Sequence, residues 1–199
     1  MTELNMIVAG VGGQGSVLAS HIIAMAAIEE GLRARVGETF GAAMRGGAVA
    51  SHVRIGKDIH SPLVQKDGAD IVLALEPLEG LRNVVKFLKE GGLLLTNTRV
   101  WSPMDVNVGR AEYPSLEAIS DAVKKLNGKI ITIDATSLAQ QAGNVRSMNV
   151  VMLGALAGAV ELPFSNETLK RVIRENVPKG TEGVNLKAFE LGLKAVKGE

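Results

Sequence analysis

The sequence predicts an α/β protein: a three-layer α/β/α arrangement around a mostly parallel, mixed sheet, opening on a Rossmann-like βα unit. Three observations predict it. Short apolar runs alternate with stretches of helical period along the chain. The first run, Met6-Ile7-Val8-Ala9, passes directly into Gly10-Val11-Gly12-Gly13-Gln14-Gly15 and then into an amphipathic stretch. Finally, 199 residues with 46% apolar and 22% charged composition suit one soluble domain with a full-sized core, residues 1–199.

The elements follow in order. Residues 4–9 read as a buried first strand. Residues 15–31 read as a helix, with Val17, Leu18, Ile22, Ile23 and Ala26 at helical spacing and Gly31 as its stop. Residues 33–36 make a short second strand. Residues 48–55 read as a strand, with Val49, Ser51, Val53 and Ile55 on one face and His52 and Arg54 on the other. Gly56-Lys57-Asp58 is a turn signal, so residues 59–64 are expected to return as a hairpin strand and make the sheet mixed.

Residues 70–75 are a second core strand. Pro77 suits the start of a helix over 77–89, which Gly91-Gly92 would close before a buried strand over 93–96. Residues 101–113 are irregular, with Val106 and Val108 read as an edge strand. Ser115 can cap a helix running to Leu126. Residues 130–133 form a strand ending at Asp134. Helices are expected over 137–142, 148–160, 166–176 with Ser165 as cap, and 185–196. Ligands of such sheets bind outside the carboxyl ends of the strands.

Composition narrows the function. A net charge of +1 steers the chain neither to nucleic acid nor to a membrane surface, and 3% aromatics are too few for base stacking. Cysteine is absent, so disulfides, thiol nucleophiles and cysteine-ligated iron–sulfur clusters are excluded from this chain. That fits a reducing, cytoplasmic setting. The first residues lack a basic region, so no secretory signal is expected. The longest apolar run, 150–160, is too short to span a bilayer.

Two glycine-rich turns carry the chemistry. In the first, Gly10, Gly12 and Gly15 satisfy G-x-G-x-x-G between a strand and a helix, where backbone N–H groups can face an anion. Glu38 lies where a ribose-binding acid would sit in a dinucleotide site, although a solvated carboxylate is the plainer reading. Gln14 offers an amide at the helix start, for an anion, a neighbouring chain or the loop itself. The second turn, Gly41-Ala42-Ala43-Met44-Arg45-Gly46-Gly47, adds a guanidinium suited to phosphate, to carboxylate or to a structural or inter-subunit ion pair. Gly10, Gly12, Gly13, Gln14, Gly15, Arg45, Gly46 and Gly47 are therefore the candidate binding residues.

Other candidates are weaker. His21, His52 and His60 have no partners at metal-ligand spacing, so no metal site is expected. No nucleophile elbow is present. Glu76 and Glu79 flank Pro77 at a strand-to-helix junction, where helix-start carboxylates are common. Asn149 stands in an apolar helix and needs partners there, either a loop or another subunit. Gly154, Ala155, Ala157 and Gly158 would let that helix pack closely, inside the domain or against a partner.

Taken together, the two turns resemble the gamma-type domain of 2-oxoacid:ferredoxin oxidoreductases. The resemblance also rests on Ser51-His52-Val53-Arg54-Ile55-Gly56 with Ser61-Pro62, on Asp70-Ile71-Val72-Leu73-Ala74-Leu75-Glu76-Pro77-Leu78-Glu79, and on residues 149–154. These pieces span most of the chain in order. The Ser-His-Val-Arg and Glu-Pro-Leu-Glu segments look most like the small beta subunit of indolepyruvate:ferredoxin oxidoreductase. Phe40-Gly41-Ala42-Ala43 departs from that pattern, which more often has a histidine before the glycine and a glutamine before the arginine. Pyruvate, 2-oxoisovalerate and 2-oxoglutarate stay open as substrates.

The resemblance implies a non-autonomous subunit. Its complex would decarboxylate a 2-oxoacid on thiamine diphosphate, pass electrons through iron–sulfur clusters to ferredoxin and release an acyl-CoA. Thiamine diphosphate and the clusters would belong to larger partner chains. The first turn and Arg45 would face the active-site entrance, on coenzyme A phosphate or on the large subunit. Two alternatives stand beside this reading: an independent NAD- or FAD-binding oxidoreductase, and a scaffold subunit without ligand contact.

Overall fold

The computed structural model describes residues 3–41 and 46–197. Six strands form one sheet: β1 (Glu3–Val11), β2 (Arg33–Phe40), β3 (Ala48–Gly56), β4 (Ala69–Ala74), β5 (Leu88–Asn97) and β6 (Lys129–Ile133). Their order is β2-β3-β1-β4-β5-β6. β1, β4, β5 and β6 run parallel, while β3 lies antiparallel to both β1 and β2. The mixed α/β class predicted from the sequence is therefore present.

Side-chain alternation explains why the central strands read as unbroken apolar runs. Met6 and Val8 of β1 with Ile71 and Leu73 of β4 face one core, while Ile7, Ala9, Val72 and Ala74 face another. Strands covered on both faces have no polar side to show. The first face is covered by α1 (Ser16–Glu29), α5 (Ala135–Ala142), α6 (Met148–Ala159), α7 (Asn166–Asn176) and α8 (Glu182–Lys197). The second is covered by α2 (Pro77–Phe87) and α4 (Leu116–Lys125), through Val84, Ile119 and Val123.

Helix starts follow local chemistry. Glu76, Ser115, Asp134 and Ser165 each accept a backbone N–H from the residue three positions on. α6 is buried through its first nine residues, and its glycines let α8 approach. A Cβ on Gly154 would lie 2.0 Å from the Phe189 carbonyl oxygen, and one on Gly192 would lie 1.9 Å from that of Val151. The small residues of α6 thus serve packing inside the domain.

Four expectations need correction. The hairpin joins β2 to β3, and not β3 to residues 59–64 through Gly56. Residues 59–64 form no strand, because β1 and β2 already occupy both edges of β3. β2 runs on to Phe40 as that hairpin's first arm. Gly91 and Gly92 do not close a helix: they sit inside β5 at a register shift, with Gly91 at φ +74°. Val106 lies in the four-residue α3 (Met104–Asn107) and Val108 at its end, rather than in an edge strand. Pro103 starts that turn and Gly109, at φ +73°, ends it.

Candidate functional site

The topology brings both glycine turns to one sheet edge. β2 runs in the same direction as β1, with β3 between them, so the end of β2 and the start of β3, with Gly46 and Gly47, lie beside the end of β1. The turns are joined directly: Gly12 N–H donates to Gly47 O at 2.8 Å, and Gly46 N–H to Gly12 O at 3.4 Å. Residues 42–45, and with them Arg45, lie outside the described residues.

The first turn is braced from inside. The Gln14 side-chain oxygen accepts the Val11 N–H at 2.8 Å, so the amide supports the loop. Gly13 and Gly15 hold φ +104° and +84°, a region that glycine adopts without strain. Asn149 Nδ2 donates to Gly15 O at 3.3 Å, and a Cβ on Gly15 would meet that nitrogen at 2.6 Å. Of the two roles open to Asn149, the loop brace is the one observed.

Gly13, Gln14 and Gly15 line a cavity of about 640 Å³. Gly10, Gly12, Gly46 and Gly47 are not in its wall; Gly12 ties the first turn to Gly46 and Gly47. Asn97, Arg99 and Trp101, where the chain leaves β5, form a second wall. Thr136 and Gln140 of α5 and residues 144–149 complete much of the rest, including Arg146. The first turns of α1, α5 and α6 all contribute, and helix starts carry partial positive charge. The lining residues include two arginines and no carboxylate. Neither arginine is ion-paired with a described residue.

Asn97 locks this corner. Its Nδ2 donates to Leu75 O at 3.2 Å and to Thr136 Oγ1 at 3.1 Å, while its Oδ1 accepts the Ala135 N–H at 3.1 Å. Asp134 caps α5 outside the wall. The Ser137 hydroxyl and backbone N–H hold its carboxyl below the usual range, with a smaller contribution from Arg99.

The remaining candidates have structural duties. Glu38 lies on β2 and pairs with His21 at 3.1 Å. β3 separates β2 from β1, which moves Glu38 away from the place a ribose carboxylate takes beside the first turn. His52 is buried, edge-on to Phe87, and its Nδ1 accepts the Val64 N–H at 3.1 Å. Burial pushes its pKa down. Arg54 pairs with Glu3 and donates to Asn5 and Ser61 O, tying β3 to its surroundings. Burial raises the Glu79 pKa against the opposing pull of Arg82, 2.5 Å away. Among the described residues, no cluster suits a metal ion and no helix is long and apolar enough to cross a membrane.

Sequence reasoning missed Arg99, Trp101 and Arg146. They come from the exit of β5 and the α5–α6 turn, and no local spacing links them. The expectation that ligands sit beyond the strand ends was the one available signal.

Comparison with known proteins agrees with this architecture. The family described as pyruvate ferredoxin/flavodoxin oxidoreductase matches residues 5–195. An indolepyruvate oxidoreductase subunit IorB of Pyrococcus horikoshii is 45% identical, over 99% of this chain and 98% of its own. The IorB of Archaeoglobus fulgidus is 43% identical over 96% and 94%. A pyruvate/ketoisovalerate oxidoreductase common subunit gamma of Thermococcus kodakarensis is 31% identical over 91% and 90%. Among solved structures, the gamma subunit of a keto/oxoacid ferredoxin oxidoreductase from Geobacter sulfurreducens superposes with TM-score 0.73 at 27% identity, covering 98% and 99%. A 2-oxoglutarate:ferredoxin oxidoreductase from Magnetococcus marinus, solved with 2-oxoglutarate, coenzyme A and succinyl-CoA, aligns with TM-score 0.75 at 25% identity. That alignment covers 100% of this chain and 32% of the other.

Proposed function

The chain belongs to the pyruvate ferredoxin/flavodoxin oxidoreductase family as a gamma-type subunit, and we propose that it serves an aryl-2-oxoacid enzyme, with indolepyruvate as substrate. Greater identity to IorB subunits than to the pyruvate/ketoisovalerate gamma subunit supports that choice. In this reading the chain is inactive alone. Larger partners hold thiamine diphosphate, which supplies the decarboxylation chemistry, and the iron–sulfur clusters that feed ferredoxin. A chain without cysteine suits that division.

This chain's own contribution is to hold the phosphate-bearing end of coenzyme A. One observation carries it: the cavity wall combines Arg99, Arg146 and the first turns of three helices, with no carboxylate. Guanidinium groups bind phosphate through paired N–H donors, and helix starts add N–H groups without a charge of their own. The volume, about 640 Å³, suits part of such a molecule. Gly13 to Gly15 would lie against a phosphate, and we assign Arg45, on the adjoining loop, to the same anion. The coenzyme A bound in the Magnetococcus marinus enzyme supports this ligand class.

The test starts with the tagged chain purified from its native source with whatever accompanies it. A thiamine- and cluster-bearing partner, and turnover of indolepyruvate above pyruvate, are expected. In that complex, Arg146→Ala should raise KM for coenzyme A about tenfold with kcat little changed. An unchanged KM in Arg146→Ala, Arg99→Ala and Arg45→Ala would remove the phosphate role. Impaired assembly in Arg45→Ala, with unchanged coenzyme A kinetics in whatever complex forms, would favour the docking role instead.

A further inference from the structure

One buried carboxyl grips the segment that forms the outer wall of the cleft. Glu76 stands between β4 and α2 and is 1% exposed. Its Oε2 accepts the Glu79 N–H at 2.8 Å, as the cap of α2. Its Oε1 accepts the Trp101 N–H at 3.3 Å and the hydroxyl of Tyr113. Tyr113 Oη in turn accepts the Leu78 N–H at 3.1 Å, so the tyrosine bridges the carboxyl and the α2 backbone. No described lysine or arginine pairs with Glu76.

The strap between β5 and α4 is therefore held near both ends by the same group. Little else holds it. α3, in its middle, buries none of its residues, and Met104 and Val108 are exposed. Trp101 lies at one grip point, and this exposed residue lines the cavity with Arg99. Burial and the Glu76 carboxyl both push the Tyr113 pKa up, which keeps its hydroxyl as a donor.

We propose that Glu76 and Tyr113 are positioning residues that clamp this strap and so set Trp101 and Arg99 as one wall of the ligand cleft. Hydrogen bonds shielded from water are strong enough to fix such a segment. Losing the Tyr113 hydroxyl frees the far end of the strap and removes the bond that orients the Glu76 Oε1 toward the Trp101 N–H. The ligand named for the cleft rests on the coenzyme A reading above; the clamp itself does not.

Trp101 is the sole tryptophan, so its fluorescence reports on the strap alone. Trp101 is already 55% exposed, so its mobility is the readout: in the full chain, Tyr113→Phe and Glu76→Gln should lower the fluorescence anisotropy of Trp101 and speed tryptic cleavage after Arg110. In the complex with its native partner, both should raise KM for coenzyme A several-fold, about three to ten, with kcat little changed. Wild-type anisotropy and cleavage in both variants would overturn the clamp. A loosened strap with unchanged KM, beside an Arg146→Ala variant that does raise KM, would overturn its link to the cleft. A loosened strap with unchanged KM in all three variants would leave the clamp standing and defeat the coenzyme A reading.

Discussion

Gly15 and Gly13 share one turn, yet they are glycines for different reasons. Both hold positive φ, but only Gly15 faces another side chain where a Cβ would stand, Asn149 Nδ2 at 2.6 Å. Gly13→Ala should therefore cost backbone strain alone, about 1–2 kcal/mol. Gly15→Ala should cost more, and part of that excess should vanish in an Asn149→Ala background. Urea unfolding of the three single variants and of the Gly15→Ala/Asn149→Ala double measures this; equal costs for Gly15 and Gly13 would refute the contact. His52 carries a second prediction. Burial lowers its pKa below 6.5, and the neutral Nδ1 is needed to accept the Val64 N–H. The unfolded chain takes a proton as pH falls through 6.5, while the folded chain resists it. Stability should thus be level above that value and decline below it, by at most about 1.4 kcal/mol per pH unit from this group. His52→Asn should flatten that part of the profile in unfolding experiments run from pH 7.5 to about 5. At this scale the strand-to-helix glycine turn was legible because its chemistry is local, while Asn149 showed only that it needed a partner, which lies 134 residues away. Arg99, Trp101 and Arg146 were not, since only the tertiary fold makes them neighbours.

Element by element, legibility followed the number of constraints on each run. Core strands such as β4 and capped helices such as α4 could be read because periodicity and caps agreed. The strand over residues 59–64 was misread because an apolar run after a turn says nothing about whether a sheet edge is free. The α6–α8 pair gives a sharp element-scale prediction. Gly192 of α8 lies against the Val151 carbonyl, where a Cβ would stand at 1.9 Å, whereas Gly183 in the same helix has nothing within 4 Å. Gly192→Ala should force the helices apart and destabilise by about 1–3 kcal/mol or more. Gly183→Ala should stabilise by about 0.5–1 kcal/mol, since alanine is the better helix former and meets no neighbour. Opposite shifts of the thermal midpoint in these two variants are expected. Shifts of the same sign would mean that helix propensity, and not backbone approach, governs both positions.

For the whole molecule, the decisive feature is the place of β3. A glycine fingerprint after a first strand suggests a dinucleotide site, and the sequence alone carries no signal that separates β1 from β2. The fold does: β3 runs antiparallel between them, so the two are separated by two strand spacings, roughly 10 Å. A ribose held by Glu38 would then lie too far from a pyrophosphate held at Gly13 to Gly15, and Glu38 is already paired with His21. The open side of the first turn faces instead the corner built by β5, α5 and α6, where Arg99 and Arg146 stand. The isolated chain should accordingly show no saturable NAD binding in calorimetry up to about 1 mM. Coenzyme A should compete with inorganic sulfate for the cleft, and its affinity should fall as salt is raised, as expected for phosphate held by guanidinium groups. Micromolar NAD binding that Glu38→Gln abolishes would reverse this assignment, because it would require the ribose carboxylate to act across β3.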